Sequence, residues 1–258
     1  MTASTDHLRP LLDRLSLEDK AALVQGADFW TTVPLPQIGL RAMTLSDGPA
    51  GVRGPVWDER DPSLNMPSGT ALAASWDIDV ARRYGAAAAS EARRKGVDVV
   101  LGPTINLHRS PLGGRHFECF SEDPWLSGEL GAAYVDGLQR NGVAATPKHY
   151  VANDSETDRF TIDVSVDERA LRELYLLPFE RTVEAGAGPG IARSWAAGTE
   201  SRLRTAVQSD TTTPSKPHSE FSGVSSRSFS VMVTPSTALY ADISAHAPAS
   251  TARSKGAR

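Results

Sequence analysis

Apolar residues recur at helical spacing in several segments of the first 187 residues. They predict helices over residues 10–25, 77–95, 125–140 and 167–185. Within the first segment, Ser16 is placed to cap a second helix that begins near Leu17. Asp77 stands at the start of the second segment, and Gly96 follows its last residue as a C-terminal cap.

Four short apolar runs lie between these helical segments. They cover residues 42–45, 70–74, 97–101 and 143–146, and they predict buried strands. Strands that alternate with helices indicate βα units around a parallel sheet. The pattern therefore predicts an α/β fold.

The chain changes character near residue 187. Residues 1–187 carry a net charge of −8, whereas residues 188–258 carry +4 and contain 14 Ser and 8 Thr. A segment with so few apolar residues rarely buries enough surface to offset the entropy of ordering. We predict one domain over residues 1–187 and a low-complexity, disordered tail over 188–258.

Overall composition narrows the function classes. Hydrophobic residues make up 40% of the 258 residues, and the 21 glycines bring the apolar share to about 48%, which is typical of a globular protein; the net charge is −4. That mild acidity argues against nucleic acid or an anionic membrane as the main partner. The single cysteine, Cys119, excludes an intrachain disulfide and a cysteine-based zinc site. The first 20 residues hold no apolar leader segment, so we expect a cytoplasmic protein.

The chemistry-bearing residues follow the predicted strands. One group lies after residues 42–45, a second after 97–101 and a third after 143–146; together they are Asp47, Arg53, His108, Arg109, Arg115, Lys148, His149, Asp154 and Arg159. In parallel α/β folds, the loops after the strands form the active face. Such a mixture of donors and acceptors suits a sugar, whose hydroxyl groups both donate and accept. It also suits an anion, because Arg53, Arg115, Lys148 and Arg159 supply four cations.

Four segments carry a family resemblance: MTLSDGPAGVRG, PSGTALAASWD, LGPTINLHRSPLGGRHFECFSEDPWLSG and TPKHYVANDSETDRF. In this order and spacing they resemble the N-terminal domain of glycoside hydrolase family 3, the β-glucosidase-type family of retaining, exo-acting glycosidases. The resemblance covers roughly residues 15–187. It implies a TIM-like (β/α) barrel, of which this chain holds about the first half, with the site at the carboxyl ends of the strands.

The resemblance also assigns roles to individual residues. Asp47 matches the carboxylate that binds the hydroxyls of the terminal sugar, and Lys148 and His149 match a pair that holds further hydroxyls. The arginines expected at the rim of the same sugar subsite are Arg53, Arg115 and Arg159. The implied ligand is a β-glucoside, as a small molecule or oligosaccharide, and the implied site uses no cofactor or metal. Glu118, Glu122 and Asp123 are interpreted as organisers of their loop.

The catalytic segments of the family are not found in this sequence. The resemblance implies a nucleophilic aspartate at the end of a later barrel strand, in a Ser-Asp-Trp type motif, and a second domain that supplies the acid. Asp210 and Asp242 lack that surrounding sequence, so neither is assigned as the nucleophile. About four βα units precede residue 187, whereas a complete barrel has eight strands. The break suggests a frameshifted gene product as one hypothesis and a natural truncated protein with a low-complexity tail as the alternative.

Three functions follow as hypotheses. The first is hydrolysis of terminal β-D-glucosyl residues, the activity of the family that the sequence resembles; this chain would hold the sugar subsite of such an enzyme but not its catalytic segments. The second is a catalytically inactive sugar-binding remnant. The third is a binder of anions or phosphosugars that uses the four cations Arg53, Arg115, Lys148 and Arg159.

Overall fold

The structure of the protein is a computed structural model. It describes residues 8–56, 58–158 and 161–186, together with the backbone of residues 203–206. Most of the predicted tail over 188–258 therefore lies outside the described residues. No helix in the described part of the chain is long and apolar enough to cross a membrane.

The amino-terminal segment folds as two short helices, as the sequence predicts. Helix α1 covers Arg9–Asp13 and helix α2 covers Leu17–Leu23. The Ser16 hydroxyl accepts a hydrogen bond from Asp19 N at 3.1 Å, and the Asp19 carboxylate accepts one from Ser16 N at 3.0 Å. This reciprocal pair satisfies two amide groups that a helix start otherwise leaves without partners.

Three parallel strands form the sheet that carries the candidate site. Strand β1 is Leu45–Ser46, strand β2 is Val99–Val100 and strand β3 is Ala144–Ala145, in the order β1-β2-β3. The register pairs Leu45 with Val99 and Val99 with Ala144. Chain order equals strand order here, so successive βα units advance in one direction, as in a barrel.

Helices connect these strands. After β1 come α3 (Gly69–Ala73) and α4 (Ile78–Arg94), and α5 (Pro124–Gln139) lies between β2 and β3. Asp77 caps α4, since its Oδ1 accepts from Asp79 N at 2.8 Å and from Val80 N at 3.1 Å. Helix α4 thus begins and ends within one residue of the predicted segment.

Helices α4 and α5 pack closely because glycines lie between them. A Cβ atom at Gly85 would be 2.2 Å from the Tyr134 carbonyl oxygen, and one at Gly137 would be 2.1 Å from that of Arg82. The buried alanines of α4 and the side chains of Leu130 and Leu138 complete this part of the core. Val100 and Ala145 of the sheet belong to the same core cluster, so the helix layer packs against the sheet.

The predicted strand over residues 70–74 is wrong, because residues 70–73 belong to helix α3 and Ala74 is its C-cap. Ser68 caps the helix, and its hydroxyl accepts from Ala71 N at 3.1 Å. Alanine and leucine are also good helix formers. A five-residue apolar run does not by itself distinguish a strand from a buried helical turn. As a result, the described sheet contains three of the four predicted strands.

The helix predicted over residues 167–185 is divided into shorter elements. Strand β4 (Val164–Asp167) leads into α6 (Glu168–Ala170), a π-helical turn over Leu171–Tyr175, and α7 (Leu177–Glu184). Pro178 lies in the first turn of α7 and has no backbone N–H. It therefore cannot donate the hydrogen bond that would continue the helical turn before it. Strand β4 also pairs in parallel with β5 (Leu203–Ala206).

Candidate sugar-binding site

The loops after β1 and β3 meet at an ion pair. Lys148 Nζ donates to Asp47 Oδ1 at 2.6 Å, and Gly48 N donates to the same oxygen at 2.8 Å. Gly48 has a φ of +102° and allows the tight turn after Asp47, because a Cβ there would be 2.0 Å from the Gly51 carbonyl oxygen. The Asp-Gly turn thus presents the carboxylate to the buried lysine.

Charge keeps Asp47 ionised. Burial alone would raise the pKa of this carboxyl group, but the charge and hydrogen bond of Lys148, together with the Gly48 amide and Arg53, outweigh it, and the net pKa lies below the ordinary value. Arg53 adds a weaker attraction, since its Nη2 is 3.9 Å from Asp47 Oδ2. The side chain of Lys148 is only 6% exposed, whereas that of Asp47 is 33% exposed. An ionised carboxylate that a solute can still reach is suited to accept hydrogen bonds from hydroxyl groups.

His149 is held by Asn106, which follows β2. Asn106 Oδ1 accepts from His149 N at 2.7 Å and lies 3.1 Å from His149 Nδ1. Asn106 Nδ2 donates to the His149 carbonyl oxygen at 2.9 Å. Both residues are buried, so this contact fixes the imidazole in the loop after β3.

Arg115 is oriented by carboxylates on two loops. Its Nε donates to Glu118 Oε1, and its Nη1 is 3.6 Å from Glu156 Oε1. Burial alone would lower the pKa of Arg115, but the hydrogen bond and charge of Glu118 raise it overall. The second oxygen of Glu118 accepts from the Thr104 hydroxyl at 3.0 Å. Glu118 therefore organises its loop, as the sequence indicates.

Backbone contacts join the β2 and β3 loops. Thr104 and Lys148 form a parallel bridge, with Lys148 N donating to the Pro103 carbonyl at 2.9 Å and Ile105 N donating to the Lys148 carbonyl at 2.9 Å. The peptide between Lys148 and His149 is cis. These contacts connect the Arg115 group, through Glu118 and Thr104, to the Lys148 group.

The five predicted site residues that the structure describes lie on the three loops beyond the strands. Asp47 contacts both Arg53 and Lys148 directly. Arg115 is linked to Lys148 through Glu118 and Thr104. Asn106 holds His149. Arg159, the sixth, lies outside the described residues. His108 supports the neighbouring loop, since its Nε2 is 2.9 Å from the His116 carbonyl oxygen. Cys119 is a free cysteine and is buried.

Two polar residues near these loops received no individual role from the sequence or the family resemblance, although Asp154 was grouped with the residues that follow the predicted strand over 143–146. Asn106 lies in the LGPTINLHRS segment. Its position as a polar residue after a predicted buried strand is the one sequence feature that could have marked it as a site residue. Asp154 is the second: burial raises the pKa of its carboxyl group, although a hydrogen bond with Tyr175 opposes the shift. Among the described residues, Asp154 Oδ1 has no hydrogen-bond partner.

The described residues contain no group of three or more His, Cys, Asp or Glu side chains arranged to hold a metal ion. The acceptors and donors at the strand ends instead form ion pairs and amide contacts. Fold and site together define a parallel α/β domain with a polar face at the carboxyl ends of its strands.

Comparison with known proteins gives the family. The sequence model described as "Glycosyl hydrolase family 3 N terminal domain" matches residues 16–192, and the chain belongs to this family. The match ends close to the composition break predicted at residue 187. The match to residues 16–192 confirms the family resemblance that the sequence motifs indicate.

Curated relatives include two β-glucosidases. The chain is 49% identical over 177 residues to beta-glucosidase B of Emericella nidulans, a match that covers 69% of this chain and 21% of that protein. It is 45% identical over 188 residues to a beta-glucosidase of Rhizobium radiobacter, covering 72% of this chain and 23% of that one. The chain thus spans between a fifth and a quarter of the length of these relatives.

Solved structures agree with the fold. The beta-glucosidase of Kluyveromyces marxianus in complex with glucose matches with a TM-score of 0.66 and 44% identity, over 70% of this chain and 22% of that one. Beta-glucosidase 3B of Thermotoga neapolitana in complex with alpha-D-glucose gives a TM-score of 0.64 and 40% identity, over 70% and 28%. These matches fit a TIM-barrel-like N-terminal domain.

Proposed function

We propose that this chain carries the glucose-binding part of a β-glucosidase site and binds the terminal β-D-glucosyl unit of a glucoside. Asp47, Arg53, Arg115, Lys148 and His149 form the binding surface, and the family resemblance alone assigns Arg159 to it. The observation that carries this proposal is the 2.6 Å contact between Lys148 Nζ and Asp47 Oδ1, which joins the loops after β1 and β3. It sets a carboxylate acceptor beside an ammonium donor, as sugar recognition requires.

The charge balance of the described residues favours a neutral ligand over a phosphate. The three cations Arg53, Arg115 and Lys148 face three carboxylates, those of Asp47, Glu118 and Glu156. A phosphate would need cations whose charge is not already balanced, and it would be repelled by Asp47. A sugar gains hydrogen bonds from both signs of charge. For this reason we place the phosphosugar hypothesis second.

The proposal assigns binding to this chain and not bond cleavage. Retaining glycosidases use two carboxyl groups about 5–5.5 Å apart, one as nucleophile and one as acid and base. Asp47 is engaged by Lys148 and Gly48 as a binding group. Asp210 and Asp242, the remaining sequence candidates, lie outside the described residues and lack the family's flanking motif.

The binding proposal is tested with glucose and two matched carboxylate variants. Glucose affinity is measured by saturation-transfer NMR on the full chain, on Asp47→Asn and on Asp98→Asn. The second variant removes a carboxylate directly before β2, at the amino end of the sheet, whereas Asp47 lies at the carboxyl end. We expect millimolar binding by the parent chain and at least tenfold weaker binding by Asp47→Asn, because an amide accepts hydroxyl hydrogens less strongly than a carboxylate. Asp98→Asn retains the affinity of the parent.

Equal weakening by both variants, each shown to be folded by circular dichroism, would contradict the assignment of Asp47, because the effect would then not be specific to this carboxylate. Inorganic phosphate is titrated in parallel. Phosphate binding that is stronger than glucose binding and depends on Lys148 would favour the anion-binding alternative.

Hydrolysis is tested with an activated aryl β-glucoside. We expect the full chain to release the phenol no faster than buffer does, since removal of a catalytic unit in other hydrolases costs about 10⁴–10⁶-fold in rate. Turnover that disappears in Asp210→Ala or Asp242→Ala would show that residues 188–258 supply the nucleophile.

A further inference from the structure

The side chain of Asn106 makes contact with both the backbone and the ring of His149. Its Oδ1 receives the His149 backbone N–H at 2.7 Å, and its Nδ2 donates to the His149 carbonyl oxygen at 2.9 Å. The same Oδ1 is 3.1 Å from the ring nitrogen Nδ1. Asn106 is 4% exposed and His149 is 7% exposed, so water has little access to these contacts.

The backbone of His149 determines which way the amide of Asn106 points. A backbone N–H only donates and a carbonyl oxygen only accepts. The reversed amide would place Nδ2, a donor, against the His149 N–H and Oδ1, an acceptor, against the His149 carbonyl oxygen. Oδ1 must therefore face the N–H, and the same oxygen also faces Nδ1. Because Oδ1 is purely an acceptor, Nδ1 must carry a hydrogen.

We propose that Asn106 is a positioning residue that holds neutral His149 in the Nδ1–H tautomer. In that tautomer the lone pair resides on Nε2. The inference rests on the proposed sugar-binding function only for its consequence: toward a sugar, Nε2 of the neutral ring accepts a hydroxyl hydrogen and does not donate one. With Asp47 as an acceptor and Lys148 as a donor, this sets the direction of the hydroxyl hydrogens that the site prefers.

The tautomer is measured directly on the full chain. Long-range ¹H–¹⁵N correlation NMR of histidine-labelled protein, at a pH where the rings are neutral, distinguishes Nδ1–H from Nε2–H for each of the 6 histidines. His149→Gln identifies the signals of His149. We expect the Nδ1–H pattern for His149 in the parent chain, and an Nε2–H pattern there would overturn the proposal.

Two variants of Asn106 test whether this side chain is the cause. Asn106→Asp retains an oxygen acceptor for both N–H groups, so it should keep the Nδ1–H pattern. Asn106→Leu removes the acceptor, so the signals should shift toward Nε2–H, and glucose affinity should fall about tenfold. Asn106→Leu with an unchanged tautomer would contradict the proposal. If this variant does not fold, the parent chain and Asn106→Asp still decide, because loss of the Nδ1–H pattern in Asn106→Asp would also contradict it.

The control is Asn141→Ala. Asn141 Nδ2 donates to the Gly137 carbonyl at 2.8 Å at the end of α5, so this variant also deletes an asparagine–backbone bond. We expect its His149 tautomer and its glucose affinity to match those of the parent. If the parent shows the Nδ1–H tautomer but does not bind glucose, the proposed function fails while the role of Asn106 stands.

Discussion

The two ends of the parallel sheet use the same chemistry for different purposes. At the carboxyl end, the Asp47 carboxylate pairs with Lys148, whose side chain is 6% exposed. At the amino end, the Asp98 carboxylate pairs with Arg41, whose side chain is 64% exposed. In the first pair the cation is buried and the carboxylate is the more exposed partner; in the second pair the arrangement is reversed.

The hydrogen bonds of the two carboxylates differ as well. Both oxygens of Asp98 are bound by the guanidinium of Arg41, at 2.8 and 2.5 Å, and Oδ2 also accepts from Thr44 N at 2.8 Å. The strong bonds of Asp47 converge on Oδ1, while Oδ2 has the more distant Arg53 at 3.9 Å. Asp98 therefore ties the start of β2 to the segment before β1, whereas Asp47 retains acceptor capacity for a ligand.

The largest effect is expected at Lys148. In Lys148→Met, the Asp47 carboxylate loses its buried counter-ion and the sugar loses a donor, so glucose affinity should fall more than 100-fold, about 3 kcal/mol. Saturation-transfer NMR measures the loss. Arg41→Gln, the matched change at the amino end, should bind glucose as the parent does.

Circular dichroism on both variants separates binding from folding. A folded Lys148→Met protein that keeps its glucose affinity would remove Lys148 from the binding surface. It would also make the two ion pairs functionally equivalent.

Local signals explain which parts of the fold were predictable. Helix α4 was predicted within one residue at each end, because Asp77 and Gly96 act on their own neighbours. Residues 70–74 were wrongly predicted as a strand, because an apolar run of that length does not define its own period. The decisive cap, Ser68, is local but lies just outside the run.

The candidate site was predictable to the extent that its residues directly follow strands. Asp47, Lys148 and His149 could be placed in this way, and the family resemblance supplied their roles. Asn106 could not be assigned, because its partner is the backbone and ring of a residue 43 positions away. A pairing that forms only when two loops meet leaves no pattern in the sequence around either residue.

Asp98 is expected to give the largest effect on stability at the amino end. Asp98→Asn removes one acceptor oxygen and the charge that Arg41 binds, so the free energy of unfolding should fall by about 1–3 kcal/mol. Urea denaturation followed by circular dichroism measures this loss. An unchanged unfolding midpoint would show that the Asp98 contacts do not stabilise the start of β2.

Acid titration provides a smaller and more specific test. The pKa of Asp47 is lowered in the folded protein, so its ionised form stabilises the fold above the ordinary aspartate pKa, near 3.9, and that contribution is lost as the pH falls through the lowered value. Between pH 7 and 5, Asp47 should therefore cause no loss of stability. In Lys148→Met, the burial contribution is less opposed, so the Asp47 titration should move to higher pH.

Carboxyl-carbon NMR follows both titrations in the same samples. The pKa of Asp98 is also lowered, because Arg41 and Thr44 N outweigh its burial. Its titration should stay in place in Lys148→Met, since its partners lie at the other end of the strand. A joint shift of Asp47 and Asp98 would mean that the substitution disturbs the whole sheet.

The smallest effect is expected from Arg41 itself. Its side chain is 64% exposed, and exposed ion pairs contribute between about 0 and 1 kcal/mol because water and salt screen them. Arg41→Gln should therefore lower the free energy of unfolding by less than about 1 kcal/mol in urea denaturation at low salt, and by still less in 1 M NaCl, where the Debye length is about 3 Å. Thr44 N keeps its bond to Asp98 in this variant, so Arg41→Gln should remain more stable than Asp98→Asn. If the two variants were equally destabilised, the guanidinium and not the backbone amide would be the main partner of Asp98. The amino end would then depend on its cation, as the carboxyl end depends on Lys148.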